Sequence, residues 1–345
     1  MNHAAVIPTV LLVLAHSVAY NTPEHIGRGG QSIAQHPMRV AVIGFASQRR
    51  TDDSRLIEAA LTEVLSRDSR VALIDQSLVQ AALLGIGYDG SINMSKDESR
   101  RVAAAIGCDF FVIGKSEVLI RSASENESHQ EAYAGVMIVD ARTGSLAAFD
   151  FMSEMSATRD AALNALIKAL SARASGYVDR LTRAFDSHAP KESSQDAART
   201  IVDERIENIP DESSPRAVGF APPEFLNRVK PEYTSEAEQA NITATVEAMV
   251  VFRLNGEVGR IEITRWAGFG LDESAERAIR QLKFKPATRE GKPASVRALI
   301  RYNFRHVNEP LPPPEQPSPK PPSPKPPEKP ERDLRQLMKP SYRRP

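Results

Sequence analysis

The stretch "LDESAERAIRQLKFKPATREGKPASVRALIRYNF", Leu271 to Phe304, decides how the second half of this chain is read. Leu271, Ala275, Ala278, Ile279 and Leu282 recur at helical spacing, and Asp272 or Ser274 opens the helix. Pro286 cannot continue it, because proline lacks the N–H that a helix interior needs. The turn "REGKP" then leads into a strand of strict alternation. Val296, Ala298, Ile300, Tyr302 and Phe304 fall on one face, and Arg297, Leu299, Arg301 and Asn303 on the other. Upstream, Val246, Ala248, Val250, Phe252 and Leu254 alternate in the same way. Asn255-Gly256 follows, the dipeptide that favours a type I′ hairpin, and a second strand runs from Val258 to Trp266. The order is ββαβ, a small sheet with one helix across it.

These residues, with those before them, resemble the C-terminal domain of TonB, the energy transducer of Gram-negative envelopes. The resemblance covers residues 222–305. It is carried by Pro231-Glu232-Tyr233, Ala244-Thr245-Val246, the Asn-Gly hairpin, and Leu271-Asp272 followed by Glu276 and Ala278. Phe284-Lys285-Pro286-Ala287 and Gly291-Lys292-Pro293 complete it. Leu282 stands where the family usually has tryptophan, and Ala244 where it usually has glycine.

The resemblance implies a protein-binding module that pairs its last strand with an extended peptide from an outer-membrane transporter. An edge strand suits this, since its unpaired N–H and C=O groups accept an added strand. The implied peptide-binding residues are Arg297, Leu299, Arg301 and Asn303 on the strand, with Lys230 beside it; the two arginines favour acidic peptides. Inner-membrane motor proteins are further implied partners. Proline density follows the domain here, whereas in the family it precedes it, which weighs against simple energy transduction.

The first half reads as strand, helix, strand, helix, helix, a three-strand meander and a closing helix, an α/β sandwich with a mixed sheet over residues 38–185. "MRVAVIGF" is the first strand. Ser95 and Glu98 form a capping box, Gly107 stops that helix, and Asp140 to Gly144 turns a hairpin. "VALIDQSLVQAAL", "AAAIGCDFFVIGKSEV" and "VMIVDARTGSL", in that order, resemble the periplasmic domains of curli-secretion proteins and of lipoprotein activators of penicillin-binding proteins. That resemblance implies assembly and partner contact without catalysis. The fold class is thus α+β and α/β combined: a mixed-sheet sandwich, then a small ββαβ domain, then a disordered proline-rich tail.

"MNHAAVIPTVLLVLAHSVA", residues 1–19, has a short apolar run and a Ser-x-Ala site, so export with cleavage after Ala19 is expected; a retained anchor is the alternative. Residues 186–221 read as a polar linker between two independently folding units. Residues 306–345 hold fourteen of the 25 prolines, counted from Pro310, with "PSPKP" repeated back to back. Such density favours an extended rod of ~3.1 Å per residue, a spacer or a cell-wall-facing arm.

Lys+Arg and Asp+Glu balance at 44 each, which argues against a nucleic-acid partner. The single cysteine, Cys108, sits in an apolar context and reads as an inert thiol. The glycines of "GIGYDG" follow a helix, where they reverse the chain; a phosphate cradle precedes one. The histidines fall mostly near the termini or in linkers, and no Cys/His cluster has ligand spacing, so neither an enzyme nor a bound cofactor or metal is expected.

Overall fold

The computed structural model describes residues 36–47, 51–124, 127–187, 206–211 and 213–305. The expected export signal (residues 1–19), residues 188–205 of the expected linker and the tail (residues 306–345) lie outside the described residues.

The first unit has the element order expected from the sequence. Its strands are β1 (Met38–Ala46), β2 (Val71–Leu73), β3 (Phe110–Ser124), β4 (Glu127–Asp140) and β5 (Leu146–Ser156). Its helices are α1 (Thr51–Ser66), α2 (Gln76–Gly85), α3 (Lys96–Ile106) and α4 (Arg159–Ser187). The sheet runs β2-β1-β3-β4-β5, parallel around β1 and antiparallel in the β3–β5 meander. The capping box at Ser95 and Glu98 is formed, and Gly107 ends α3 in a left-handed conformation. Both faces of the sheet are apolar. On one, Val40, Phe110, Val136 and Ile138 pack against Ile57 and Leu61 of α1 and Leu166, Leu170 and Tyr177 of α4.

The other face carries Phe111, Tyr133, Met137 and Val139. Val79 and Leu83 of α2 and Val102 and Ala103 of α3 join the same core. Further members come from the second unit, among them Ala240, Ile242, Trp266, Phe269, Leu271 and Ala275. The expected boundary between two units therefore runs through a shared core. No strand- or helix-level pattern announces this: the joining residues come from the loop "WAGFG", from the segment around Ala240 and from the start of the helix at Leu271, and periodicity does not say which surface buries them.

The second unit begins inside the expected linker. β6 (Ile206–Asn208), a 3-10 turn (Pro215–Ala217) and β7 (Phe220–Ala221) occupy what the sequence reads as polar connection. They form because later strands of the same unit, which span Ala287–Arg289 and Lys292–Phe304, lend them partners: β6 has only three residues and no periodicity of its own. Then follow β8 (Glu224–Phe225), α5 (Ser235–Gln239), β9 (Ala244–Phe252), β10 (Val258–Arg265), α6 (Leu271–Arg280), β11 (Phe284–Lys285), β12 (Ala287–Arg289) and β13 (Lys292–Phe304). The sheet order is β10-β9-β13-β12-β7, with β6 beside β13. Ala248, Val250, Phe252 and Val296 pack against Ile279 of α6 and against Phe284 and Ala287.

Three local readings are corrected. α6 ends with Gln281 as its cap, well before Pro286, which lies between β11 and β12. Leu254 is outside β9 and about half exposed, because its N–H donates to Ser295 Oγ (2.8 Å) and is drawn into the loop. The Asn255-Gly256 connection is consequently not type I′. Gly256 N–H donates to Arg253 O and only Gly256 has positive φ (82°), the three-residue loop with a bulge. The two-residue turn with both φ values positive is Glu290 (51°) and Gly291 (77°), closed by the Arg289–Lys292 pair.

Candidate functional site

β13 pairs with β9 along Val296–Phe304. On its opposite side β12 meets Lys292–Ala294 and β6 meets Ser295–Arg297 in parallel. From Ala298 to Phe304 no further strand pairs with it among the described residues. This seven-residue edge is the site's backbone component. β13 lies there because its inward residues, Val296 above all, are buried against α6 and the Phe252–Phe284 pair, whose rings meet edge to face at 4.8 Å.

The side chains named from the sequence fall where alternation puts them. Arg297, Leu299, Arg301 and Asn303 are exposed, on the face away from α6. Lys230 is also exposed, and Tyr302 Oη donates to the neighbouring Val229 O (3.3 Å), which ties its segment to β13. The roles of these residues differ, however. Arg301 pairs with Glu247 of β9 (2.6 Å), and Asn303 Oδ1 accepts from Thr245 Oγ1 (2.9 Å). Glu247 also faces Arg265 (3.8 Å), and Arg265 pairs with Glu98 of α3 (3.0 Å). A chain of alternating charges thus crosses the sheet from β13 to the first unit. Arg301 is engaged in it, so its charge is offset within the protein.

Sequence reasoning missed Arg289. Its Nε donates to Glu207 Oε2 (2.7 Å), its Nη1 to Arg216 O (3.1 Å), and its guanidinium lies 5.2 Å above the Phe220 ring. Arg289 therefore joins β6, the 3-10 turn and β7 to the end of β12. Only the alternation of Glu207 between Ile206 and Asn208 hints at it, too short a signal to read.

A second constellation fixes the junction of the two units. Asn93 Nδ2 donates to Thr245 O (2.9 Å) and Trp266 O (2.7 Å), while its Oδ1 accepts from Thr245 N (2.9 Å). Trp266 Nε1 donates to Gly144 O (3.1 Å). Glu131, almost wholly buried, accepts from Arg121 (2.6 Å), Ser153 (2.6 Å) and Gln239 of the second unit. Burial raises its carboxyl, but these three donors outweigh that and hold it below its ordinary value. Cys108 is partly buried, and desolvation pushes its thiol up to about 12, in keeping with an inert role.

Asp272, in the first turn of α6, braces the docking loop by accepting from Ala267 N (2.9 Å) and Gly268 N (2.8 Å). Burial pushes its carboxyl up to about 7, against the pull of those two donors. The folded value lies above the unfolded one, so between pH ~4 and ~7 the folded state holds the extra proton. Stability from this group is full below pH ~4 and declines as pH rises towards ~7, by about 1.4 kcal/mol per unit at most. Asp272→Asn should flatten that slope. Urea unfolding at pH 4, 5.5, 7 and 8 reads it, and parallel profiles for variant and wild type would clear Asp272 of the effect.

Among the described residues no helix is long and apolar enough to cross a membrane, and no group of His, Cys, Asp and Glu is arranged to hold a metal ion. No curated protein sequence matches this chain. Solved structures similar to parts of it include a hypothetical protein of Chlamydia trachomatis, at 14% identity over 41% of this chain and 98% of that one, with TM-score 0.30. The C-terminal domain of LpoB from Salmonella enterica is similar at 9% identity, over 35% of this chain and 85% of that one, with TM-score 0.25. The TonB C-terminal domain of Pseudomonas aeruginosa is similar at 18% identity, over 26% of this chain and 91% of that one, with TM-score 0.23. Residues 229–306, from just before the Pro-Glu-Tyr segment to just past β13, match the family described as the Gram-negative bacterial TonB protein C-terminal.

Proposed function

We propose that this protein binds an envelope partner through its second unit, by adding an extended peptide to β13 along Ala298–Phe304. The observation that carries the reading is a seven-residue edge that no strand covers among the described residues, on the strand that closes the family match. Strand addition draws its affinity from main-chain hydrogen bonds and its selectivity from alternate side chains. The role is binding without catalysis, it uses no cofactor, and its place is the periplasm, after export directed by residues 1–19. A peptide segment of an outer-membrane transporter is the partner, in support of transport across the membrane or of envelope assembly. The proline-rich tail, residues 306–345, serves as a spacer or cell-wall contact.

Titration of the full chain with N-terminal peptides of outer-membrane transporters, followed by amide exchange, tests this. Protection should appear at Ala298–Phe304. Arg301→Ala should weaken binding by less than about 1 kcal/mol, since Arg301 is already paired with Glu247. Protection confined to other surfaces would refute the edge. A second reading is favoured by the shared core: a structural scaffold in which the second unit covers the apolar face of the first. In that case no transporter peptide protects β13.

A further inference from the structure

β6 lies on the strand-addition edge itself. Ile206, Glu207 and Asn208 pair in parallel with Ser295, Val296 and Arg297, directly ahead of the bare stretch. We infer that β6 is a resident occupant of that edge, holding in cis the first positions that a partner's strand would use, and that an extended acidic peptide running parallel to β13 displaces it. The inference rests on the strand-addition reading and adds to it a direction, a charge requirement and a competitor.

β6 is built to be displaced. It pairs with only three residues of β13, and Pro210, two residues on, has no N–H to continue a ladder. Ile206 and Asn208 are exposed, and no β6 side chain enters any of the three buried cores. A strand held by so few contacts belongs to the low-stability end of a fold. An incoming parallel strand could instead match ten residues, Ser295–Phe304, and so form a longer ladder.

The chemistry of that partner is set by Arg289. Glu207 is its carboxylate partner, but Phe220 beneath it and Arg216 O beside it hold the guanidinium independently of Glu207. When β6 leaves, a positioned guanidinium remains, ready for a carboxylate in the same place. Glu207 is paired in register with Val296. The displacing peptide therefore carries an acid at the residue that pairs with Val296, followed by extended residues that run to Phe304.

The experiment uses the full chain and a variant in which Ile206, Glu207 and Asn208 are all glycine. These residues lie outside the cores, so the variant keeps its fold; protection of the β9–β13 ladder in amide exchange verifies this. Two probes are titrated: a labelled peptide "DERIENIPD", residues 203–211 of this chain, and the N-terminal peptides of outer-membrane transporters. The first should bind the variant at least tenfold more tightly than wild type, the factor expected when the cis strand occupies its site at least nine-tenths of the time. Its binding should fall when Arg289→Ala is added or when its glutamate corresponding to Glu207 is replaced by glutamine. Transporter peptides should gain by a similar factor.

Transporter peptides that bind both proteins equally would overturn the cis-occupant inference and leave strand addition standing. Weaker transporter-peptide binding to the variant would overturn it too, since β6 would then be a stop that sets register. Binding of neither probe to either protein would overturn both readings. Binding of "DERIENIPD" to the variant alone, with no transporter peptide bound, would uphold β6 as occupant and remove the transporter as partner.

Discussion

Phe269→Ala is expected to lower the unfolding free energy by about 3–5 kcal/mol and to loosen the second unit from the first. Phe269 has no exposed surface, and its ring meets Phe149 at 5.0 Å and Phe151 at 6.1 Å, both on β5 of the first unit. Its seat is the bare backbone of Gly135 in β4, where an added Cβ would come within 2.7 Å of the ring. Phe269 also has φ of 53°, a conformation that costs a non-glycine residue roughly 1–2 kcal/mol. The chain tolerates that cost because the ring's burial outweighs it. Alanine keeps the strained backbone and loses the ring. Unfolding followed by Trp266 fluorescence and by far-ultraviolet dichroism should be one coincident transition in the wild type and two in the variant. A loss below about 1 kcal/mol with one transition retained would mean that this contact does not couple the units. The edge of β13 contains none of these residues, so peptide binding should survive the substitution.

The elements that the sequence makes legible are those whose partners are local. The order β1-α1-β2-α2-α3-β3-β4-β5-α4 follows from periodicity, and the Ser95–Glu98 box from a four-residue pattern. The inward face of β13 follows from alternation alone. Where a distant atom competes, the local signal fails. Ser295 Oγ takes the Leu254 N–H and turns an expected type I′ hairpin into a longer loop. The same limit governs the candidate site. Alternation puts Arg301 on the outer face, but only the fold reveals that Glu247 already faces it. β6 is the extreme case: three residues that no pattern marks as a strand are one because β13 presents an edge. The docking of the two units was hidden for a related reason. Trp266 and Phe269 sit among glycines in a loop, and a loop aromatic carries no periodicity to say which surface buries it.

Asn93→Ala should cost about 2–4 kcal/mol, a large effect for a side chain so small. The amide satisfies three backbone groups at once: the N–H and C=O of Thr245, at the start of β9, and the C=O of Trp266, just past β10. Alanine would leave one donor and two acceptors without their partner in a partly buried junction, and each such orphan costs about 1–3 kcal/mol unless water reaches it. Asn93→Asp separates hydrogen bonding from size. The carboxylate can still accept from Thr245 N, but it turns an acceptor towards two carbonyl oxygens where the amide offered donors. Ionised, it is repelled there; protonated, it can donate to one of them. The aspartate's folded pKa should therefore lie above its unfolded value, and the variant's stability should be greatest below pH ~4 and fall as pH rises. Asn93→Ala should show no such added slope. Urea unfolding of the three proteins at pH 4 and pH 7.5 makes the comparison. If Asn93→Asp is as stable as wild type at pH 7.5, the amide is not what binds the start of β9 to the first unit, and Trp266 and Phe269 hold the junction without it.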